Sequence, residues 1–202
     1  MTVVNGYCTL DELKARLDIS TTDTADDTKL EVIIQAASRA IDAKTGRRFY
    51  ATTADETRYY TAEADDVVFT DEIISVTSLL TDDDGTRAYA TTWASTDYEL
   101  EPVNAALDGK PYTRIELAPY SPYTFPEGVR RGIQITGIFG FCTAEAHPDV
   151  VREACLIQSA RLFKRKDAPF GVVGSPELGQ LQPLNKLDPD VELMLQGVTR
   201  LI

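Results

Sequence analysis

The sequence predicts an α+β protein in which helices at both ends of the chain flank a strand-rich middle. Near both ends, apolar residues recur at helical spacing, whereas the middle contains short β-branched and aromatic runs separated by Gly, Pro and Asp. We therefore expect a discontinuous helical core formed by residues 1–48 and 146–202, the latter including a C-terminal arm. A small antiparallel β domain is expected to be inserted as residues 49–145.

The first two helices are predicted from their boundary signals. Thr9 and Glu12 have the spacing of a capping box, so a short helix should follow Thr9 and end near Asp18. A second helix is predicted over residues 25–45, because leucine and isoleucine residues fall on one of its faces. Gly46 is well suited to end that helix in a left-handed conformation.

The middle of the chain is predicted to contain seven short strands, at residues 57–61, 67–70, 75–80, 86–91, 98–100, 114–117 and 134–138. The Asp-Asp-Asp-Gly sequence at 82–85 predicts a hairpin turn between two of them. A calcium-binding loop is rejected there, because the twelfth position of such a loop is Trp93 instead of a carboxylate. Tyr120, Tyr123 and Phe125 lie in a Tyr- and Pro-rich stretch that we interpret as a loop exposed at a protein interface.

The C-terminal part is predicted to contain two helices joined by an irregular arm. Pro148 opens a helix that is apolar on more than one face, and a basic cluster ends it. Closely spaced glycines and prolines make residues 167–187 unsuited to regular structure throughout. Asp188-Pro189 then begins an apolar last helix. That helix either folds back onto its own domain or holds another subunit, and the sequence favours neither alternative.

The charge of the chain argues against a protein that grips nucleic acid over its surface. There are 32 acidic and 20 basic residues, giving a net charge of −12, whereas phosphate neutralisation needs clustered Lys and Arg. An acidic channel lining would repel phosphates and let a duplex slide through. The net negative charge by itself is explained more simply as keeping the protein soluble.

No set of residues suited to catalysis is evident. The three cysteines, Cys8, Cys142 and Cys155, form no Cys-x-x-Cys pair, and the single histidine, His147, precedes a proline. Cys155 is predicted to be a small buried hydrophobic residue. We expect no catalytic residues, no cofactor and no metal site. The first residues lack the features of a signal peptide and no apolar run could span a bilayer, so we expect a cytosol-like compartment and no membrane contact.

Three basic clusters stand out against the acidic background, at Arg47-Arg48, Arg130-Arg131 and Lys164-Arg165-Lys166. One interpretation is that they complement helix ends or are simply solvated. The other is that they contact acidic surfaces of neighbouring subunits or partner proteins, since arginine pairs carboxylates bidentately.

Several stretches resemble the head–tail connector (adaptor) proteins of long-tailed bacteriophages and prophages: residues 7–14, 36–49, 153–171 and 187–191. The resemblance covers both helical ends, and the strand-rich middle is similar to the insertion of longer members. It implies a structural protein of the virion neck, assembled in the host cytoplasm, that forms a ring of about twelve copies beneath the portal. Such a ring extends the DNA channel, which DNA crosses without sequence-specific binding, and offers a platform for the next neck, stopper or tail protein.

The resemblance also implies where partners bind. The residues expected to contact the portal or neighbouring subunits are Arg47, Arg48, Lys164, Arg165, Lys166, Phe170, Val172, Val173, Leu178, Leu193, Met194 and Leu195. Two other functions remain open. The chain could be a different neck or tail-completion protein. It could also be a small hydrolase or nucleic-acid-processing domain, which we rank last because the sequence lacks a nucleophile–base set.

Overall fold

The computed structural model describes residues 3–142, 147–165, 172–173, 182–183 and 187–200. The chain divides into two compact units, Met1–Arg47 with His147–Ile202 (the helical unit) and Arg48–Ala146 (the β unit). Helices come from both ends of the chain and an antiparallel sheet is inserted between them. The predicted α+β fold class is therefore confirmed.

In its described residues, the helical unit contains four α-helices: α1 (Leu10–Arg16), α2 (Asp27–Thr45), α3 (Asp149–Lys164) and α4 (Pro189–Leu195), with a 3₁₀ turn at Gln196–Val198. Helix α3 packs against the other three. Fully buried aliphatic side chains, including Leu13, Ile34 and Val151, form its core. The arm between α3 and α4 contributes a two-residue strand pair, β7 (Val172–Val173) with β8 (Gln182–Pro183).

The predicted ends of α1 and α2 are confirmed. The backbone N–H of Glu12 donates to the Thr9 hydroxyl at 3.2 Å, and the N–H of Thr9 donates to the Glu12 carboxylate at 2.8 Å, which completes the capping box. Gly46 ends α2 with φ 66°, where its N–H donates to the carbonyl of Asp42. A left-handed residue here favours glycine because a Cβ would be strained.

The last helix folds back onto its own unit. Val191 and Leu195 of α4 are fully buried, and α4 packs against α3. The Gln158 side-chain carbonyl accepts a hydrogen bond at 3.2 Å from the N–H of Asp188, the capping residue of α4. Arg161 adds an ion pair with the Asp188 carboxylate at 3.1 Å. These contacts favour the first of the two alternatives left open by the sequence.

The β unit is built on one antiparallel sheet with strands β1 (Glu56–Tyr60), β2 (Val67–Thr81), β3 (Thr91–Trp93), β4 (Tyr98–Glu101), β5 (Tyr112–Leu117) and β6 (Ile133–Phe139). The order is β1-β6-β2-β5-β4, with β3 also paired to β2. Strand β2 is long enough to serve both halves of the sheet. Its first part pairs with β5 and its second part with β6 and β3.

Two strand predictions in this unit were wrong in detail. The segments 67–70 and 75–80 belong to one strand, in which register shifts accommodate the acidic residues Asp71 and Glu72 that suggested a break. The segment 86–91 is mostly loop, and only Thr91 begins a strand. The connection after β2 is thus a long loop instead of a tight turn. Buried Asp82 orders it by accepting a hydrogen bond at 2.8 Å from the N–H of Arg87.

The core of the β unit lies on one face of its sheet. Side chains that alternate along the strands, such as Ile133, Ile135 and Phe139 of β6, are buried there. Trp93 stacks on Phe125 with ring centroids 4.7 Å apart. The expectation that Phe125 is exposed was therefore wrong, because the loop folds inward at this residue. Tyr120, in contrast, is 98% exposed.

Gly137 allows the backbones of β6 and β2 to approach closely. A Cβ placed on Gly137 would lie 2.1 Å from the carbonyl oxygen of Ser75. That oxygen belongs to the stretch of β2 where the register shifts. The position therefore requires glycine for space.

Candidate functional site

In the described part of the chain, no three His, Cys, Asp or Glu side chains are grouped closely enough to hold a metal ion. The ring of His147 packs edge-on against Tyr7, with centroids 5.0 Å apart. The structure does offer surfaces suited to binding another macromolecule.

The three cysteines are free thiols in packed surroundings. Cys8 and Cys155 bring their sulfur atoms to 3.4 Å inside the helical unit. The Cys8 thiol donates a hydrogen bond to Cys155 and is buried, and both effects raise the pKa of Cys8. Burial raises the pKa of Cys142 to about 11, and its S–H donates to the carbonyl of Phe49 at 2.9 Å. Cys155 is fully buried, as predicted.

The predicted partner residues fall in three places. At the end of α2, Arg47 is half-buried and Arg48 is exposed, with its guanidinium 5.8 Å from the ring centroid of Tyr50. At the end of α3, Lys164 is exposed and Arg165 half-buried. Of the other predicted residues in the arm, Lys166, Phe170 and Leu178 lie outside the described residues, and Val172 and Val173 are described only as backbone strand β7.

The three predicted residues of α4 differ in exposure. Leu193 is 66% exposed and Leu195 is fully buried, while Met194 is half-buried. Alternation of this kind is expected where one face of a short helix packs on its own unit. Leu195 therefore contributes to the helical core, and Leu193 is the member of the set that presents apolar surface to solvent.

The sequence reasoning missed that charge is divided unevenly between the units. Residues 48–146 contain 17 Asp and Glu against 7 Lys and Arg, a net charge of −10. The helical unit contains 15 against 13, a net charge of −2. Counting charge by segment instead of over the whole chain would have revealed this difference.

A cluster of arginine and tyrosine interrupts the acidic surface of the β unit. The Arg131 guanidinium lies 4.7 Å from the ring centroid of Tyr59, and the rings of Tyr59 and Tyr89 are 5.5 Å apart. The Tyr89 hydroxyl donates to the Arg131 carbonyl at 2.9 Å. We call Tyr59, Tyr89, Arg131 and the neighbouring Arg130 the arginine–tyrosine cluster. The sequence indicated its arginines but not the tyrosines, which only the pairing of distant strands brings to them.

A second surface of the β unit combines an exposed aromatic residue with carboxylates. Phe69 of β2 is 60% exposed, and the charged residues that line a shallow groove beside it are Asp66, Glu116 and Arg114. Glu116 lies directly opposite Glu99 of the edge strand β4. We call Asp66, Phe69, Glu99 and Glu116 the acidic face. Alternation within strands 67–70 and 114–117 predicts which residues share a face, but not the pairing between strands.

Comparison with known proteins adds independent information. Residues 7–80 match the family model of phage gp6-like head–tail connector proteins. A comparison with curated protein sequences finds no significant match. Among the described residues, no helix is long and apolar enough to cross a membrane.

Solved structures share the fold of the chain. One, from the neck of the empty gene transfer agent (GTA) particle computed with C6 symmetry, has a TM-score of 0.56 and 18% identity, covering 100% of this chain and 94% of that one. Another, from the native GTA neck computed with C12 symmetry, has a TM-score of 0.53 and 22% identity, covering 87% of this chain and 86% of that one. A third, from the native gene transfer agent virion, gives 0.54 and 22%, covering 87% of each chain.

The structural likeness concerns the fold, and the family is indicated by the sequence match. That match runs from α1 to the second half of β2, so it crosses from the helical unit into the β unit. It includes two of the stretches from which the resemblance was predicted, residues 7–14 and 36–49. Residues 7–80 of the chain are thus similar to the phage gp6-like head–tail connector family.

Proposed function

We propose that the protein is a structural component of the virion neck, a head–tail connector that assembles into a ring beneath the portal. The observation that carries the proposal is the family match over residues 7–80. The fold shared over nearly the whole length of a neck protein supports it. The ring would extend the DNA channel, and its role would be mechanical and architectural instead of catalytic.

The acidic β unit is compatible with that role. A duplex passing a surface of net negative charge is repelled by it, so it moves along a channel without being held. The proposed ring would contain about twelve copies, the number that the resemblance implies, and each copy would need two complementary faces for the ring to close. DNA would be a passing cargo, and the lasting partners would be the portal, neighbouring copies and the next neck or tail protein.

We place the portal contact on the helical unit, at exposed Leu193 of α4 and the basic residues that end α3. Leu193 offers apolar area that its own unit does not cover, and exposed Lys164 lies at the end of the helix against which α4 packs. An apolar anchor with charged residues at its rim is typical of protein interfaces. Arg47 and Arg48 are proposed as further subunit contacts.

The test is light scattering of the full chain mixed with the portal protein encoded by the same genome. We expect a complex holding about one copy per portal subunit. Leu193→Asp should reduce binding at least about tenfold, because it places a charge in the apolar contact. Val32→Asp is the matched control, since Val32 is also an exposed apolar residue of the helical unit. A wild-type chain that binds no portal at micromolar concentration contradicts the proposal.

The second candidate, another neck or tail-completion protein, predicts a different partner. In that case the chain would bind tails or a later neck component while leaving portals unoccupied. Light scattering of the portal mixture and of a mixture with purified tails distinguishes the two functions, because either protein could bind a later component but only the connector should form a complex of defined mass with the portal.

A further inference from the structure

We propose that the arginine–tyrosine cluster of one copy docks on the acidic face of the next copy, forming the contact between neighbouring β units. The inference rests on the proposed function, in that it names the surfaces through which the connector would self-associate. It is carried by two patches of opposite charge, each with an exposed aromatic ring, on one sheet.

Among the described carboxylates, none is paired with the arginines of the cluster. Elsewhere in the β unit, Arg58 pairs with Glu56 and Asp71 at 2.9 and 3.0 Å, and Arg114 pairs with Glu116 at 2.5 Å. Within the described part of the chain, no carboxylate forms an ion pair with Arg130 or Arg131, although both are exposed in a unit of net charge −10. Carboxylates of another molecule could form ion pairs with these two arginines.

The acidic face, in turn, has more carboxylates than cations to pair with them. Glu99 and Glu116 lie directly across the β4–β5 ladder, a like-charge pair that destabilises a sheet unless a cation is near. Arg114 is engaged with Glu116 and approaches Glu101 at 3.8 Å. In the described residues, Glu99 has no cationic partner. An arginine from another copy would relieve this repulsion.

The two patches cannot reach each other within one chain. The cluster lies beside the last residues of β2, since Thr81 pairs with Ile133, two residues after Arg131. The acidic face lies at the other end of the same strand, where Val67 pairs with Glu116. Two complementary patches at opposite ends of one 15-residue strand suit a head-to-tail contact, the kind that closes into rings.

The aromatic residues give each patch an apolar centre. Tyr59 is 41% exposed and lies against Arg131. Phe69 is 60% exposed and lies opposite Arg114, whose guanidinium is already paired with Glu116. Tyrosine and arginine are among the residues most often found at the energetic centre of interfaces.

The backbone conformation of the cluster is also unusual, because Tyr89 and Arg131 both have positive φ, at 47° and 56°. Non-glycine residues in that region are held there at some energetic expense, and such residues concentrate at functional positions.

The test is sedimentation velocity of the full chain at about 20 mM salt, where charges interact over about 20 Å. We expect the wild-type chain to self-associate with rising concentration. Arg131→Glu and Glu99→Arg should each weaken association at least about tenfold, and combining both changes in one chain should restore it, because the charges are then exchanged. Phe69→Ala should also weaken it, although Phe69 is exposed in the monomer.

The controls make the same charge changes elsewhere on the β unit. Lys110→Glu and Asp108→Arg alter exposed residues outside both patches and should leave association unchanged. Single variants that associate like the wild type overturn the inference, as does a wild-type chain that stays monomeric up to about 1 mM. Equal weakening by the control variants also overturns it, because net charge would then explain the effect.

A duplex DNA titration separates the remaining alternative. If the wild-type chain binds a short duplex and Arg131→Glu abolishes that binding while self-association is unchanged, the cluster serves phosphates and the inference is wrong. Portal binding is read separately by light scattering. If both patch variants bind the portal and self-associate like the wild type, the inference is wrong but the proposed function stands. If self-association depends on the two patches but the chain does not bind the portal, the inference stands and the proposed function fails.

Discussion

The helical unit and the β unit are about equal in length but are specified in different ways. The helical unit is nearly neutral, and its helices are defined by residues close together in sequence, such as Thr9 with Glu12. The β unit carries almost all of the net charge, and its strands pair across large sequence distances, such as β1 with β6. Local signals thus encode one unit, whereas long-range pairing defines the other and brings together the surfaces that we propose for assembly.

The chain offers separate probes for the two units. Its single tryptophan, Trp93, is buried in the core of the β unit, so fluorescence reports unfolding of that unit. The long α-helices belong to the helical unit, so circular dichroism at the helical band reports the other. Three substitutions sharpen the comparison, in order of decreasing effect.

Gly137→Ala should have the largest effect, because the new Cβ would collide with backbone that cannot move independently. We expect a loss of about 3 kcal/mol in the free energy of unfolding of the β unit, measured by urea titration with Trp93 fluorescence. Gly197→Ala, in the helical unit, is the control, since a Cβ at Gly197 meets nothing within 4 Å. It should change the stability read from the helical circular dichroism transition by less than about 0.5 kcal/mol. Equal effects of the two variants would contradict the close approach of β6 to β2.

Ser38→Ala should have an intermediate effect, confined to the helical unit. The buried Ser38 hydroxyl accepts a hydrogen bond from the N–H of Tyr7 at 3.1 Å and donates to the carbonyl of Ile34 at 2.8 Å. Removing it leaves the N–H of Tyr7 without this acceptor, which costs about 2 kcal/mol. The helical circular dichroism transition should shift to lower urea while the fluorescence transition stays in place. Equal shifts of both transitions would show that the units unfold together.

Thr9→Ala should have the smallest effect of the three. It removes the side-chain acceptor of the capping box and is expected to cost about 1 kcal/mol, read from the same helical transition. Thr9→Ser keeps a hydroxyl at the same position and should retain most of that stability. A serine variant as unstable as the alanine variant would mean that the threonine methyl group, not the cap, stabilises α1.

The success of prediction from sequence follows the same division. Capping, periodicity and a glycine stop placed α1 and α2 to within two residues, because each signal lies in the helix it defines. Strand β2 was divided in two, since Asp71 and Glu72 resemble a turn unless the register shifts around them are known. Burial of Phe125 depends on Trp93, a residue distant in sequence, and no local pattern reveals that stack.

The candidate surfaces show the same limit. Arg130 and Arg131 were recognisable as a basic cluster, but Tyr59 joins them only through the pairing of β1 with β6. Leu193 and Leu195 are equivalent in the sequence, whereas packing on α3 buries one and exposes the other. A sequence can nominate residue types for an interface, but their exposure is decided by tertiary packing.

The continuity of β2 has a mechanical consequence. If neighbouring copies pull on the two ends of this strand, the load runs along its axis and is shared by the hydrogen bonds to β5, β6 and β3 on its flanks. Bonds loaded in shear must break together, whereas bonds at the end of a hairpin open one at a time. A ring joined through β2 would therefore resist stretching around its circumference.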